Sequence, residues 1–142
     1  MQTTLDGFEP PERTDDRLFF AVLPDTDTAA KITQLADRLR GVHGLSGTRA
    51  ESHRLHSTLH HLGDHTEMHP AIVASAHVTA KALAHAPLRI TLDRVMSFIG
   101  QPGSNPFVLR GGDGVAALYE FQRALGVAMI KYIRLARWPL RD

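Results

Sequence analysis

The chain has 142 residues, 16 basic against 15 acidic side chains, nine histidines, no cysteine, and 43% hydrophobic and 6% aromatic content. That composition describes one globular domain, long enough to bury roughly 68–70% of the surface its unfolded form exposes. The missing thiols exclude disulfide scaffolds, cysteine nucleophiles and zinc ribbons, and the near-zero net charge excludes a broad electrostatic nucleic-acid binder. Residues 1–16 carry five acids and three prolines or glycines without periodicity and read as a flexible leader, with the domain spanning 17–142. This polar, acidic start is unlike a secretory signal, and no apolar run approaches the roughly 20 residues that span a bilayer. The expectation is a cytoplasmic protein with no membrane partner.

In chain order, Leu18 to Leu23 is an apolar run rich in aromatic and branched residues and predicts a buried strand stopped by Pro24. The polar stretch at Asp25 to Thr28 offers helix caps, and Ile32, Leu35, Ala36 and Leu39 follow at helical spacing until Gly41 and Gly44. From His53 to Leu62 the period is two, predicting a second strand that ends at Gly63-Asp64. Asp64 and Glu67 have the spacing of a capping box before a helix whose stripe is Ile72, Val73, Ala76, Ala80 and Leu83. Residues 88–99 predict a strand, Gln101 to Pro106 a turn, and Phe107 to Leu109 its hairpin partner. Helical spacing resumes at Asp113 through Val115, Leu118, Phe121, Leu125, Met129 and Ile133, with Lys131, Arg134 and Arg137 near the end and Pro139 closing it. The alternation gives an α+β or α/β domain. Phe19, Phe20, Phe98, Phe107 and Phe121 are expected in the core.

Chemistry concentrates in one place: six of the nine histidines fall between His53 and His69. On a regular strand, Arg54, His56, Thr58, His60 and Leu62 share one side, and Leu55, Ser57, Leu59 and His61 the other. His56 and Thr58 are then roughly 6–7 Å apart, within reach of one phosphate or carboxylate. An imidazole exchanges a proton near neutral pH and a hydroxyl donates to an anionic oxygen, a pairing suited to phosphoester chemistry. A solvated strand face is the plainer reading of the same residues. The spacings His56/His60, His61/His65 and His65/His69 would suit zinc on a helix but do not converge on a strand, so no metal site is expected. Gly111-Gly112-Asp113-Gly114 lacks the lysine and spacing of a phosphate-binding loop and reads as a turn with a helix cap. The cations Lys131, Arg134, Arg137 and Arg141 could contact RNA phosphates or form a solvated helix end.

The string Leu18-Phe-Phe-Ala-Val-Leu-Pro24, a helix, and then Arg54-Leu-His-x-Thr-Leu-His-x-Leu-Gly-Asp64 resembles the first half of the RNA 2′,3′-cyclic phosphodiesterases, also called 2′-5′ RNA ligases, of the two-histidine phosphoesterase superfamily. Leu88 to Phe98, Pro106 to Leu109 and the helix after them follow the same order, so the resemblance covers most of 17–142. It implies an α+β fold of antiparallel sheets flanked by helices. It also implies a metal-independent, cofactor-free hydrolase that opens the 2′,3′-cyclic phosphate end of RNA to a 2′-phosphate, with 2′-5′ ligation as a further activity. By resemblance, His56 gives a proton to the leaving ribose oxygen, Thr58 holds a phosphate oxygen, and a histidine of a second His-x-Thr activates water. No second His-x-Thr occurs, because the last histidine is His85 and Arg89-Ile-Thr91 lacks the imidazole. The chain is therefore expected to be a C-terminally truncated member, missing its last strands and impaired in catalysis. It would be open to homodimerisation through an exposed sheet edge. Ser57 and His61 stand where the family pattern is apolar, so they are expected to pair with each other or to lie near solvent. The alternative is a non-catalytic module that binds RNA or a phosphorylated nucleotide through His56 and Thr58.

Overall fold

The computed structural model describes residues 16–83, 86–97, 99–100, 102–103 and 105–133. The expected leader (except Asp16), His85, Phe98, Arg134, Arg137, Pro139 and Arg141 lie outside them. The chain is α+β and divides into two units, residues 1–67 and 68–142.

In the first unit, β1 (Asp16–Val22) pairs antiparallel with β2 (Ser57–His65), with α1 (Thr26–His43) and a single 3-10 turn (Ser52–Arg54) between them. α1 begins where its cap chemistry dictates: the Asp25 carboxylate accepts from the Thr28 N–H at 2.7 Å, satisfying one of the orphan donors of the first turn. That hydrogen bond holds the Asp25 carboxyl below the usual carboxylate range. The helix runs through Gly41 and stops at Gly44, whose φ of 62° is the left-handed conformation glycine tolerates without penalty. α1 packs against the 3-10 turn. Among the described residues of this unit, Ala29 and Leu59 are the buried apolar ones.

The second strand is shorter at its start and longer at its end than its alternation predicts. Arg54 and Leu55 donate their N–H groups back to Glu51 and Ser52 carbonyls at 2.9 and 3.3 Å, so local turn bonds replace ladder bonds before Ser57. Asp64 does not cap a helix: it sits inside β2, opposite Arg17.

In the second unit, α2 (Pro70–Ala82) packs against α3 (Ala116–Tyr132), and β3 (Arg94–Ser97) pairs antiparallel with β4 (Phe107–Arg110). Pro70, with its fixed φ, occupies the first turn of α2, and the His69 ring accepts from the Ala71 N–H at 3.1 Å, displacing the expected start at Asp64. Ile72, Val115, Leu125 and the fully buried Thr79 form the core here, with the Thr79 hydroxyl donating to the Ser75 carbonyl at 2.7 Å. Full burial of a branched apolar side chain such as Ile72 or Leu125 contributes about 1.5–3 kcal/mol.

Of the strand expected over 88–99, Arg94–Ser97 forms among the described residues, and 88–93 do not. The preceding segment is tied to the chain before α3 at separate points: Thr91 N–H donates to the Gly114 carbonyl and Asp93 N–H to the Arg110 carbonyl, each at 2.9 Å. The approach is close enough that a Cβ on Gly111 would lie 2.4 Å from the Thr91 carbonyl oxygen, and one on Gly114 would lie 2.9 Å from it. Glycine-rich sequence here therefore serves backbone contact followed by a 3-10 turn (Asp113–Val115) into α3. None of the described phenylalanines expected in the core is fully buried: Phe19, Phe20 and Phe121 are half-buried, and Phe107 is 44% exposed on β4.

Candidate functional site

The site lies in the first unit and is shaped by two irregularities in β2. Phe20 pairs with His60 and Ala21 with Thr58, so Leu59 is an extra residue between the partners of two consecutive β1 positions. Arg17 pairs with Asp64 and Phe19 with His61, so a second extra residue falls across Leu62 and Gly63, where Gly63 takes a φ of 103°. A bulge adds one residue to one strand and shifts its side-chain alternation by one position.

Two such shifts reorganise the face. Cross-strand partners share a side of a sheet. Arg17, Phe19 and Ala21, at intervals of two on β1, therefore face the same side as their partners Asp64, His61 and Thr58, at intervals of three on β2. Strict alternation assigned His60 to the side of His56 and Thr58 and His61 to the opposite one. The bulge at Leu59 reverses this. Leu59 turns inward, 7% exposed, and His61 joins the polar side. A bulge is a property of two paired strands, so only the recurrence Thr58, His61, Asp64 against Arg17, Phe19, Ala21 could have signalled it in the sequence.

Arg17, Phe19, His56, Thr58 and His61 line an open recess of about 470 Å³. The His56 and Phe19 rings lie 5.3 Å apart between centroids and tilted by 31°, within the range of favourable aromatic contact. His56 Nδ1 lies 2.6 Å from the Arg54 carbonyl oxygen. A carbonyl only accepts, so Nδ1 carries the proton and donates, which leaves Nε2 as the atom that gains and loses a proton. The Thr58 hydroxyl is exposed and has no protein hydrogen-bond partner among the described residues.

His61 is the member that sequence reasoning placed elsewhere. Its Nε2 lies 3.0 Å from Asp64 Oδ1 and donates to it. Asp64 in turn accepts from Arg17 Nε at 2.9 Å and Nη2 at 3.4 Å. The Arg17 hydrogen bond, then that of His61, holds the Asp64 carboxyl below the usual carboxylate range, and the same contact raises the Arg17 guanidinium. Asp64 is thus ionised and positioned to fix one ring nitrogen of His61. Ser57 and His61 are both exposed, as expected, and His61 takes Asp64 as partner.

The recess lining offers a guanidinium, two imidazoles, a hydroxyl and an aromatic ring, with no carboxylate among the lining side chains. Such a set suits an anion with an adjoining planar group. Among the described residues no three histidine, aspartate or glutamate side chains come together as a metal would require. No helix among them is long and apolar enough to cross a membrane. Lys131, in the last turn of α3, has its ammonium 5.2 Å from the Tyr132 ring centroid. No family model matches the chain, and neither the curated proteins nor the solved structures yielded a match.

Proposed function

We propose that the recess takes a 2′,3′-cyclic phosphate at the end of an RNA or on a nucleotide, and that the protein hydrolyses it to a 2′-phosphate. The observation that carries this reading is His56, with its Nδ1 proton committed to the Arg54 carbonyl and Nε2 left for proton transfer, in one recess with the Thr58 hydroxyl. Phe19 supplies an aromatic surface beside His56, and Arg17 adds positive charge at the rim. The resemblance to the RNA 2′,3′-cyclic phosphodiesterases and 2′-5′ RNA ligases of the two-histidine phosphoesterase superfamily supports the same assignment.

In this reading protonated His56 donates from Nε2 to the leaving ribose oxygen, and Thr58 donates a hydrogen bond to a non-bridging phosphate oxygen. The reaction draws on no metal or cofactor. It takes place in the cytoplasm, and 2′-5′ ligation is the related activity the resemblance adds. Pairing of two chains through a sheet edge would give a homodimer, which light scattering of the purified chain would register as twice the monomer mass.

The test is turnover of 2′,3′-cyclic AMP in the presence of EDTA by the wild-type chain, His56→Ala and Thr58→Val. The reading expects a 2′-monophosphate product from the wild type, loss of at least 100-fold in His56→Ala, and a raised KM in Thr58→Val. Saturable binding of the nucleotide with no turnover in any of the three would replace the hydrolase by a non-catalytic phosphate-binding module.

A further inference from the structure

We infer that His61, oriented by Asp64 and brought beside His56 by the bulge at Leu59, is the second proton-transfer group of this recess and takes the proton of the attacking water. The inference rests on the phosphodiesterase reading and deepens it by assigning a residue that regular strand alternation puts on the wrong side.

Hydrolysis of a phosphodiester needs one group to accept a proton from water and another to give one to the leaving oxygen. Two imidazoles line the recess, and the protein treats them differently. His56 is held at Nδ1 by a backbone carbonyl, a neutral acceptor. His61 is held at Nε2 by the Asp64 carboxylate, an ionised acceptor that stabilises the imidazolium formed when Nδ1 takes up a proton. Asp64 is itself anchored from the neighbouring strand by two hydrogen bonds from Arg17, so the His61 ring is fixed at one end by a group that is also fixed. The charged and titratable groups that face His61 are therefore Arg17 from β1 and Asp64 and His56 from its own strand region.

The step balances as follows. A water oxygen bonds to phosphorus while one of its protons moves to His61 Nδ1. The bond from phosphorus to the ribose 3′ oxygen breaks, and that oxygen takes the proton from His56 Nε2. The products are a 2′-phosphomonoester and a 3′-hydroxyl, with His61 protonated and His56 neutral, and exchange of one proton with solvent at each ring restores the starting state.

Two readouts on the full chain test the assignment. The first is turnover of 2′,3′-cyclic AMP by His61→Ala, His61→Gln and Asp64→Asn beside His56→Ala. The second is imidazole NMR of the wild type titrated with 2′-AMP, which reports on His61 without requiring turnover. The expectation is a fall of roughly 100-fold or more in kcat for both His61 variants with KM changed far less, and a smaller loss in Asp64→Asn accompanied by a displaced pH profile. The His61 and His56 ring signals should both move on adding 2′-AMP. If His56→Ala is inactive, His61→Ala turns over at the wild-type rate and only the His56 signal moves, the role of His61 is overturned while the phosphodiesterase reading stands. If the wild type neither turns over substrate nor shifts either ring, both fall together. Loss of activity in the His61 variants with unchanged circular dichroism and unchanged 2′-AMP affinity supports proton transfer over a structural role.

Discussion

Truncating Leu59 tests the register on which the site depends. Leu59 is the extra residue of the first bulge, is 7% exposed, and is flanked by Thr58 and His60, which pair with adjacent β1 residues. Leu59→Ala removes the equivalent of about three methylene groups from a nearly water-free position, so at roughly 0.8 kcal/mol each the transfer loss is about 2.4 kcal/mol. A cavity contribution brings the expected destabilisation to about 2–5 kcal/mol. With a urea slope on the order of 1–3 kcal/mol/M for a small protein, the unfolding midpoint should fall by at least about 0.7 M. Urea titration followed by circular dichroism, with Ser57→Ala as the exposed neighbour expected to stay within about 0.5 kcal/mol, measures the difference. A Leu59→Ala midpoint equal to that of Ser57→Ala would refute the inward placement of Leu59, and with it the bulge that brings His61 beside Thr58.

Gly63→Ala should destabilise by about 1–2 kcal/mol, because Ala resists a positive φ and the new Cβ would sit 3.1 Å from His65 Nε2; a midpoint at or above wild type would contradict the second bulge. Gly111→Ala should lower the thermal midpoint as well, since its Cβ would come 2.4 Å from the Thr91 carbonyl oxygen and 2.6 Å from Val115 Cγ1. Asp64 has a folded-state pKa below its unfolded value, so its contribution is present above the unfolded value near 4 and is lost as pH falls through the lower folded value. Asp64→Asn should therefore show a weaker fall of stability than wild type as pH drops below about 4, read by thermal melts in acid. Thr58→Ser should retain phosphate affinity where Thr58→Val loses it, because the hydroxyl and not the methyl is the donor.

How far the sequence exposes this arrangement depends on whether the deciding interaction is local. Asp25 before Thr28 and Gly44 after the last turn of α1 are side-chain and backbone signals within a few residues, and α1 lies between them. The hairpin of β3 and β4 follows from turn residues between two β-rich runs. α2 starts later than the capping pattern predicts, because Asp64, though better capping chemistry than His69, is drawn into a ladder with Arg17, 47 residues away. Residues 88–93 carry strand composition, yet their backbone groups meet the glycine-rich segment at isolated points rather than along a continuous partner. In the site, His56 and Thr58 were legible as a motif and share one recess. His61 was not, because its side is decided by which β1 residue it opposes, and a strand's own sequence does not contain its register.

The central claim, that His56 and Thr58 serve phosphoester hydrolysis, is tested most directly by following 2′,3′-cyclic AMP with the wild-type chain in ¹⁸O-labelled water by ³¹P NMR. The account predicts that the cyclic diester signal is replaced by a 2′-monoester bearing one ¹⁸O, and that His56→Ala leaves the diester unchanged over the same interval. A wild-type spectrum that stays at the cyclic diester, or a monoester formed equally by His56→Ala, would contradict it.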